Sequence, residues 1–501
     1  MSREQARHRF EQLSQLAVYD VNRQEHLLTD LYQLTMMYGY FQSADADKRV
    51  VFDLFYRSNP CGNGFVIAAG LEQVVMHLRQ LRFQAREIEY LETTGLFSRA
   101  FLDELANFRF SGDVFAVPEG TIVFPQEPIL RLEGRILELQ LVESALLCFI
   151  NHQSLIATKA CRIVQAAQSR GAQNPAVSEF GLRRAQNVDA ALFGARAAYI
   201  GGCTSTSNVA AGFAFGIPVS GTQAHSWIQS FPDELSAFRA YADAYPDKCL
   251  LLVDTYDALR SGVPHAITVG KELRARGYDL QGIRIDSGDL AYLSKEARKR
   301  LDAAGFADTR IIVSDDLDEE TIRDLLLQGA PIDGWGVGTA LITSRDCPAL
   351  GGVYKLAARW DGSVYEPLIK VSENPQKVTN PGKKRVWRLY VEGIASADLI
   401  ALEDEPFPDG QPLALFDPVH TYKQKTVVGY EVRELLEPVI LGGEVVAVLP
   451  SLEAIRERVQ RELLTIAAET RRAKNPHVYH VDLSQTLWDL KQELVRQHRR
   501  Q

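Results

Sequence analysis

The sequence predicts a mixed α/β fold, in which an irregular α/β barrel is combined with a second, α+β domain built from the N-terminal and C-terminal segments. Two observations carry this prediction. The chain has 501 residues, which is more than one hydrophobic core usually organises. Short apolar runs alternate with helical patterns from about residue 143 to 350, whereas the segments on either side show strand-like runs without that alternation.

The chain is accordingly divided into three parts. Residues 1–142 form a predicted N-terminal α+β domain, with a helix from about Thr29 to Gly39 and a strand from Val50 to Tyr56. Residues 143–350 form the predicted barrel. Residues 351–501 form a C-terminal segment that is expected to pack partly back on the N-terminal domain, and the residues after about 388 are assigned no chemistry.

The predicted barrel depends on short apolar strands that recur after intervening helices. Helices are indicated from Leu290 to Ala304 and from Glu319 to Gln328. Strand–helix units of this spacing are typical of a parallel sheet, and seven in a row favour a closed barrel over an open doubly wound sheet. The predicted strands are Ala176 to Glu179, Tyr199 to Gly201, Pro218 to Ser220, Leu250 to Asp254, Gly282 to Asp286, Arg310 to Ser314 and Gly334 to Gly338.

Small or ionisable side chains stand at the ends of most of these strands. Taken singly, an aspartate after a strand is most often the N-cap of the next helix. The carboxyl ends of barrel strands, however, meet on one face, where α/β barrels carry their active sites. The sequence therefore predicts a site on that face, formed from Glu179, Ser220, Thr222, Asp254, Asp286, Ser314 and Thr339.

One histidine joins this predicted site. His225 follows the apolar run Ile217 to Val219 and precedes a helix predicted from Ser226 to Phe231, so it falls on a strand-to-helix corner. Such corners direct side chains and free backbone N–H groups into active sites. On this segment alone, a structural hydrogen-bonding histidine is as good an interpretation as a catalytic one.

Two loops at the strand ends suit phosphate groups. The segment Asp286 to Asp289 opens a helix and contains Ser287 and Gly288, and the segment Gly336 to Thr339 leaves a strand with two glycines. A glycine backbone can approach an anion closely, although either segment can also be a plain glycine turn. A third loop, Lys370 to Lys384, carries four lysines, and without further context it is interpreted as a solvated surface loop.

Composition argues against several classes of function. The net charge of −9 disfavours a nucleic-acid binder that works through a basic surface. The six cysteines form no C-x-x-C pair and lack clustered histidines, so they predict neither a zinc site nor a disulfide framework. No stretch approaches the roughly 20 apolar residues of a membrane span. We therefore expect a cytoplasmic protein with no nucleic-acid or membrane partner.

Together these motifs resemble the nicotinate phosphoribosyltransferase family, from Leu27 to about Arg388. The resemblance implies the irregular barrel of type II phosphoribosyltransferases. So many ordered motifs are far more specific than any one of them. The segments that carry the resemblance are Leu28 to Met36, Glu179 to Gln186, Ser205 to Gly212, Gly221 to Trp227, Gly282 to Leu290, Gly336 to Thr339 and Lys370 to Lys384.

The resemblance implies a defined reaction. In this family nicotinate takes the phosphoribosyl group of phosphoribosyl pyrophosphate, which gives nicotinate mononucleotide and pyrophosphate in the first step of NAD synthesis from nicotinate. The reaction uses Mg²⁺ and is coupled to ATP hydrolysis through a phosphorylated histidine, which matches His225. Family members are generally homodimers with shared active sites, so the resemblance implies a homodimer here.

The functional residues of the family carry over motif by motif. Tyr32, Thr222 and Arg284 would contact nicotinate, since a guanidinium matches a carboxylate in a two-pronged geometry. Arg183 would pair with the pyrophosphate or the transferred phosphate, and Asp286 would face the ribose hydroxyls or Mg²⁺. The other contacts with phosphoribosyl pyrophosphate are assigned to Ser287, Gly288, Gly338 and Thr339.

Each of these roles has a structural alternative. Tyr32 could be a core residue of an amphipathic helix, and Arg183 could bridge to Glu179. Arg284 could form a structural ion pair. A charged residue between two isoleucines of a barrel strand nevertheless favours a role in the site for Arg284.

Three other functions are weighed against this one. Nicotinamide phosphoribosyltransferases are similar, but they carry an aspartate that accepts the amide N–H where this chain has Ser207, which has no carboxylate to repel nicotinate. Quinolinate phosphoribosyltransferases are shorter and do not account for the C-terminal part. A non-catalytic, nucleotide-sensing barrel protein is disfavoured by the joint presence of His225, Arg284 and Asp286.

Overall fold

The computed structural model describes residues 3–15, 25–43, 46–169, 175–374, 377–406 and 411–500. The chain divides into two units. Met1–Leu155 and Ala349–Gln501 together make one of them, called here the terminal unit, and Ile156–Pro348 make the other, called the central unit. The first division falls within the helix Glu143–Ala167, at whose start the sequence places a domain boundary.

Helices occur in both units, and none of those described is long and apolar enough to cross a membrane. Numbered α1 to α18 in chain order, the described α-helices are Arg3–Ser14, Leu31–Gln42, Leu71–Gln80, Ala85–Thr93, Arg99–Ala106, Ile136–Leu141, Glu143–Ala167, Val188–Ile200, Val209–Phe215, His225–Gln229, Glu234–Ala244, Val263–Ala275, Leu290–Ala303, Glu319–Leu327, Thr339–Ile342, Leu452–Thr465, Ala468–Arg471 and Gln485–Arg500.

The strands belong to separate sheets in the two units. Numbered β1 to β21 in chain order, the described strands are Arg49–Tyr56, Val66–Ile67, Asp113–Ala116, Ile122–Val123, Leu130–Arg135, Ala176–Glu179, Ser205–Thr206, Leu250–Leu252, Gly282–Ile285, Arg310–Asp315, Gly334–Val337, Gly352–Trp360, Tyr365–Pro367, Lys384–Val391, Ile394–Leu402, Leu413–Phe416, Gln424–Val427, Glu431–Glu434, Glu437–Leu441, Glu444–Val445 and Val481–Leu483.

The central unit is built on one parallel sheet with the strand order β7-β6-β11-β10-β9-β8. A single parallel bridge between Thr206 and Val219 extends the sheet beyond β7. The mixed α/β fold with a parallel sheet is therefore confirmed. Except for β7 and β8, strands that follow one another in the chain are neighbours, and the last strand, β11, pairs with the first, β6. Within the described residues no hydrogen bonds join β8 to Val219, so closure into a barrel stays a prediction.

Burial along β9 explains why this segment forms a strand of the sheet. Ile283 and Ile285 are fully buried, and Arg284 between them presents its side chain to the opposite side. Two helices that follow neighbouring strands begin at an aspartate N-cap. Asp289 accepts a hydrogen bond from the backbone of α13, and Asp318 accepts one from the backbone of α14. The structural interpretation of a post-strand aspartate thus holds for these two residues.

One predicted strand is wrong. Tyr199 and Ile200 end the helix α8, and the Gly201 N–H donates to the Ala197 carbonyl at 2.9 Å. Residues 191–200 are buried on every side, and the hydrophobic period of such a segment does not separate a buried helix from a buried strand. The strand at this place in the sheet is instead the short β7, and the predicted strand Pro218 to Ser220 is reduced to the bridge at Val219.

Strands from both ends of the chain share sheets in the terminal unit. The larger sheet has the order β13-β12-β1-β5-β3-β19-β20, and its β1 pairs antiparallel with both β12 and β5. A second sheet, β18-β14-β15-β21, is formed entirely by the C-terminal segment. The helix α16 provides Glu462 to a buried charge network that also contains Arg388 of β14.

The centre of this charge network is Arg388. Its guanidinium donates to the two carboxylate oxygens of Asp398 at 2.8 and 2.6 Å, and both side chains are fully buried. A third nitrogen lies 3.3 Å from Glu462, and the Tyr479 hydroxyl donates to Asp398 at 2.9 Å. Arg388 thus compensates two buried carboxylates on different elements.

We expect Arg388→Ala to destabilise the terminal unit by about 3–5 kcal/mol, because it leaves Asp398 buried without a cation, while Glu462 keeps only its ion pair with Arg433. Arg385→Ala is the matched control on the same strand: Arg385 pairs with Glu434 at the surface, where an ion pair contributes about 0–1 kcal/mol. Thermal unfolding of the full-length chain followed by calorimetry checks this. Equal shifts of the transition in the two variants would contradict the prediction.

Candidate active site

His225 begins the helix α10, with Ala224 as its N-cap, so its predicted place at a helix start is confirmed, whereas the predicted strand before it is only the bridge at Val219. The ring is held on one side, where Nδ1 lies 3.0 Å from the Thr255 hydroxyl. The other nitrogen, Nε2, lies 3.6 Å from Oδ2 of Asp286, and the side chain is 39% exposed. The imidazole is therefore oriented by its neighbours but accessible from outside.

Arg284 connects several strand ends of the central unit. Its guanidinium donates to the Thr222 hydroxyl at 2.9 Å and to the Ser314 hydroxyl at 2.8 Å. It also donates to Oδ1 of Asp286 at 3.0 Å. The ion-pair alternative is thus partly realised, yet the same side chain, 15% exposed, also orients a threonine that the sequence assigns to the site.

Asp286 lies between the imidazole and the guanidinium. The Ser314 hydroxyl also donates to its Oδ1. Burial by itself raises the pKa of Asp286, but the charge of Arg284, the hydrogen bonds from Ser314 and Arg284 and the charge of His225 outweigh it and hold that pKa below the ordinary value. Asp286 is therefore a carboxylate anion at neutral pH.

Asp254, just after β8, hydrogen-bonds to the segment that carries Asp286. Its Oδ2 accepts hydrogen bonds from the Asp286 N–H at 2.9 Å and from the Ser287 hydroxyl at 2.6 Å. Its other oxygen, Oδ1, is buried and has no hydrogen-bond partner among the described residues. The sequence includes Asp254 in the predicted site but gives it no specific contact, and it gives no signal at all for Thr255.

Glu179 closes the end of β6. Its carboxylate accepts hydrogen bonds from the Thr206 hydroxyl at 2.6 Å and from the Gly181 N–H. Burial raises the pKa of Glu179, and these two hydrogen bonds oppose that rise. Its backbone carbonyl accepts from the Ser207 N–H at 2.8 Å, which fixes Ser207 just beyond β7. Both carboxylate oxygens of Glu179 are therefore hydrogen-bonded to other groups. Arg183 lies on the short 3₁₀ turn Leu182–Arg184 and is exposed.

The glycine segments lie at the ends of β9 and β11. Gly288 has a φ of +85°, a conformation that favours glycine. Gly338 connects β11 to α15 and Thr339 begins α15, and the pairing of Val337 with Glu179 places both residues beside the end of β6. A side chain at Gly336 would collide with the Phe180 ring at 2.5 Å, so packing alone explains that glycine.

The predicted residues thus fall into three groups. His225, Asp286, Arg284, Thr222 and Ser287 are joined by direct contacts or through Asp254. Five others follow the ends of strands in the same sheet: Arg183, Ser207, Gly288, Gly338 and Thr339. Tyr32 belongs to α2 of the terminal unit, where its side chain is 49% exposed and is therefore not a core residue.

Comparison with known proteins identifies the family. Family models described as the nicotinate phosphoribosyltransferase N-terminal domain, family and C-terminal domain match residues 27–151, 176–379 and 383–491. A nicotinate phosphoribosyltransferase of Bacillus subtilis (strain 168) is 45% identical over 472 residues, which covers 94% of this chain and 95% of the relative. The chain belongs to the nicotinate phosphoribosyltransferase family.

Other nicotinate phosphoribosyltransferases agree with this assignment. The one from Homo sapiens is 35% identical over 521 residues, or 92% of this chain and 95% of the human protein. The crystal structure of human nicotinic acid phosphoribosyltransferase superimposes with a TM-score of 0.83 at 33% identity, covering 93% of this chain and 100% of the human one. A nicotinate-nucleotide pyrophosphorylase from Pyrococcus furiosus, with a TM-score of 0.66 at 24% identity over 88% of this chain and 95% of that one, shows the same fold.

Membership of the nicotinate phosphoribosyltransferase family confirms the predicted family and that this chain is an enzyme. Along the sequence, the matches to the N-terminal and C-terminal family domains lie before and after the segment that forms the parallel sheet. The match beyond residue 388 goes further than the sequence motifs do, which end at about Arg388. In the lysine loop Lys370 to Lys384, residues 375 and 376 lie outside the described part of the chain.

Proposed function

We propose that this enzyme transfers the phosphoribosyl group of phosphoribosyl pyrophosphate to nicotinate, giving nicotinate mononucleotide and pyrophosphate, and that ATP hydrolysis drives the transfer through a phosphohistidine at His225. The observation that carries the proposal is the contact group of His225, Asp286, Arg284 and Thr222 at the carboxyl ends of parallel strands. It provides a nucleophile, an anion and a carboxylate-binding cation in one place.

His225 is suited to accept a phosphoryl group at Nε2. When Nδ1–H donates to the Thr255 hydroxyl, the lone pair is on Nε2, which lies 3.6 Å from Oδ2 of Asp286. Nε2 attacks the γ-phosphorus of ATP, the bond to the bridging oxygen breaks, and ADP leaves. The N–P bond is later hydrolysed, which releases inorganic phosphate and restores the imidazole.

Arg284 and Thr222 are the proposed contacts of nicotinate. The guanidinium can bind a carboxylate with two parallel hydrogen bonds, and its interaction with Thr222 fixes the fork before the substrate arrives. The Phe180 ring centroid lies 6.0 Å from the guanidinium carbon, so an aromatic face borders the same space. Tyr32 is proposed to flank the pyridine ring.

Asp286 is proposed to stabilise the ribose, on which positive charge develops as pyrophosphate leaves. Ser287, Gly288, Gly338 and Thr339 would hold the phosphates of the donor, and Arg183 the pyrophosphate. The carboxylates of Asp254 and Asp286 fit Mg²⁺, because Mg²⁺ prefers oxygen ligands and Asp254 keeps a buried oxygen without a partner. When bound, Mg²⁺ neutralises charge on the leaving pyrophosphate.

Substrate phosphates would complete the ligand shell of this ion. Among the described residues no group of three or more histidine, cysteine, aspartate and glutamate side chains could hold a metal by itself. Mg²⁺ is commonly bound by one or two carboxylates together with substrate phosphates. The ion is therefore proposed to bind with its substrate.

The remaining parts of the proposal concern architecture. We propose that the strands of the central unit close into an irregular barrel, because β11 returns to β6 and only one neighbouring pair, Val219 and β8, lacks hydrogen bonds among the described residues. We propose a cytoplasmic homodimer with shared active sites. The exposed apolar side chains of Val188, Val209 and Phe213 in the central unit support a subunit contact.

Ser207→Asp is expected to lower kcat/KM for nicotinate by about 10–100-fold, because a carboxylate at this position repels the substrate carboxylate. The neutral variant Ser207→Asn controls for size. The ratio of kcat/KM for nicotinate to that for nicotinamide should fall in the aspartate variant alone, and steady-state assays with both bases measure it. The same ratio in both variants would show that Ser207 does not select the acid.

A direct test of the transfer is the release of pyrophosphate from phosphoribosyl pyrophosphate in the presence of Mg²⁺ and ATP. We expect release that depends on nicotinate and equals the nicotinate mononucleotide formed. Release without any added base, at the same rate, would contradict the proposal.

A further inference from the structure

A cavity of about 430 Å³ lies in the C-terminal segment of the terminal unit. Its walls come from β14, β15, β17, α17 and the residues that precede β21. Cavities of this size are typical of small-molecule sites. Its lining residues include Ile394, Ser396, Lys425, Thr470, His477 and His480.

Lys425 provides a fixed cation at the wall of this cavity. Its Nζ donates to the Ser396 carbonyl at 3.0 Å and to the Ser396 hydroxyl at 2.8 Å. An ammonium group has three N–H bonds, so one remains after these two contacts. The lysine is therefore held in place with an N–H left for another acceptor.

Two imidazoles border the same cavity. The ring centroids of His477 and His480 are 6.2 Å apart, with the rings inclined at 61°. Within the described residues no group hydrogen-bonds to either imidazole. Together with Lys425, they bring nitrogen donors from two different elements to one space.

The surrounding charges favour an anion in this space. Burial lowers the pKa of His480, and the positive charges of Lys425 and His477 lower it further. Lys423 acts in the same direction and Asp417 opposes it. The cationic form of His480 is therefore disfavoured in the free protein, and an anionic ligand would oppose that effect.

The two nearby carboxylates, Asp417 and Asp482, do not hydrogen-bond to the nitrogen groups of this cavity. Asp417 is occupied by its own loop, since its Oδ1 accepts from the Val419 and His420 N–H groups at 2.8 Å each. Burial raises the pKa of Asp482 to about 6, the charge of Asp417 adds to the rise, and Lys425 opposes it. Among the described residues neither acid forms a hydrogen bond or an ion pair with Lys425, His477 or His480, so the remaining N–H groups of these three side chains are left for a ligand.

We propose that this cavity binds a small organic phosphate monoester. The three phosphate oxygens would accept hydrogen bonds from Lys425, His477 and His480, which matches the strength and number of acceptors that a phosphate presents. The hydroxyl of Thr470 lies on the same wall, and Val391, Ile394 and Ala467 give an apolar surface for the organic part of the ligand. All lining residues lie in the terminal unit, away in sequence from the strand ends of the central unit.

Phenyl phosphate, phenol and benzoate are suitable probes, measured by isothermal titration calorimetry on the full-length chain. We expect phenyl phosphate to bind, phenol not to bind, and benzoate to bind more weakly. Lys425→Met and His480→Gln should each weaken phenyl phosphate binding by about 10-fold or more, the effect of losing one hydrogen bond to a charged group. Lys423→Met, which removes the same charge from the same hairpin outside the cavity, should change it by less than about twofold.

Three results would overturn this proposal. Phenyl phosphate could fail to bind at about 5 mM, the part of benzoate binding that Lys425→Met removes could be as tight as that of phenyl phosphate, or Lys423→Met could weaken binding as much as Lys425→Met. Thermal unfolding checks that each variant is folded. If Lys425→Met does not fold because Ser396 loses its partner, the comparison of His480→Gln with Lys423→Met decides.

Discussion

Replacing His225 with alanine should abolish the stimulation of nicotinate mononucleotide synthesis by ATP. The ATP-stimulated rate is expected to fall on the order of 10²–10⁴-fold, the scale on which a positioned catalytic side chain contributes. The slow ATP-independent transfer should persist, because Arg284, Thr222 and Asp286 keep their mutual contacts without the imidazole. Initial rates with and without ATP measure both effects.

Incorporation of ³²P from γ-labelled ATP provides the direct readout for His225. The label should be acid-labile and base-stable in the wild type and absent from His225→Ala. His265→Ala is the matched control, since His265 lies in the same unit and pairs with Glu234 at 2.8 Å, away from the contact group. ATP stimulation that survives in His225→Ala would exclude this residue as the phosphoryl acceptor.

Replacing Arg284 with alanine should lower kcat/KM for nicotinate by about 150-fold, which corresponds to about 3 kcal/mol for hydrogen bonds to a charged group. Most of the loss should appear as a higher KM, because the fork binds the substrate carboxylate before and during the transfer. Thr222 also loses its partner at 2.9 Å, which adds to the effect. Steady-state assays with nicotinate as the varied substrate measure it.

Two further variants separate the fork from its charge. Arg284→Lys keeps the positive charge but not the two-pronged geometry, so it should recover only part of the affinity for nicotinate. Arg310→Ala, at the exposed start of the neighbouring strand β10, controls for loss of a cation from the sheet. A KM for nicotinate in Arg284→Ala that matches that of Arg310→Ala would remove Arg284 from the nicotinate site.

The strand ends could be predicted because the relevant signals are local. The apolar run before Asp286 and the small residues before His225 mark a strand end and a helix start within a few positions. Both were therefore placed correctly from the sequence. Arg284 was recognised because a charge between Ile283 and Ile285 breaks the pattern of a buried strand.

The contacts between strand ends could not be predicted in the same way. Thr222 and Arg284 are separated by 62 positions, and no spacing rule gives that contact. The support that Asp254 gives to Asp286 and Ser287 depends on the parallel pairing of β8 with β9. Only the three-dimensional arrangement distinguishes Asp254 from an N-cap.

Two local errors have a common cause. Tyr199 to Gly201 was predicted as a strand because the end of a fully buried helix is as apolar as a buried strand. The true strand, Ser205–Thr206, is two residues long and polar, so it has neither the length nor the period that marks a strand. The sequence does not predict the C-terminal cavity, because its lysine and histidine residues come from separate strands and loops.

The most direct test of the ATP-coupled transfer to nicotinate is the simultaneous measurement of ADP and pyridine nucleotide in one reaction. It contains the wild-type enzyme, phosphoribosyl pyrophosphate, Mg²⁺ and ATP, with nicotinate, nicotinamide or quinolinate supplied in parallel. We expect nicotinate mononucleotide from nicotinate only, with ADP formed as the nucleotide accumulates. Turnover of nicotinamide in place of nicotinate, or nicotinate mononucleotide formed at full rate without ADP, would contradict it.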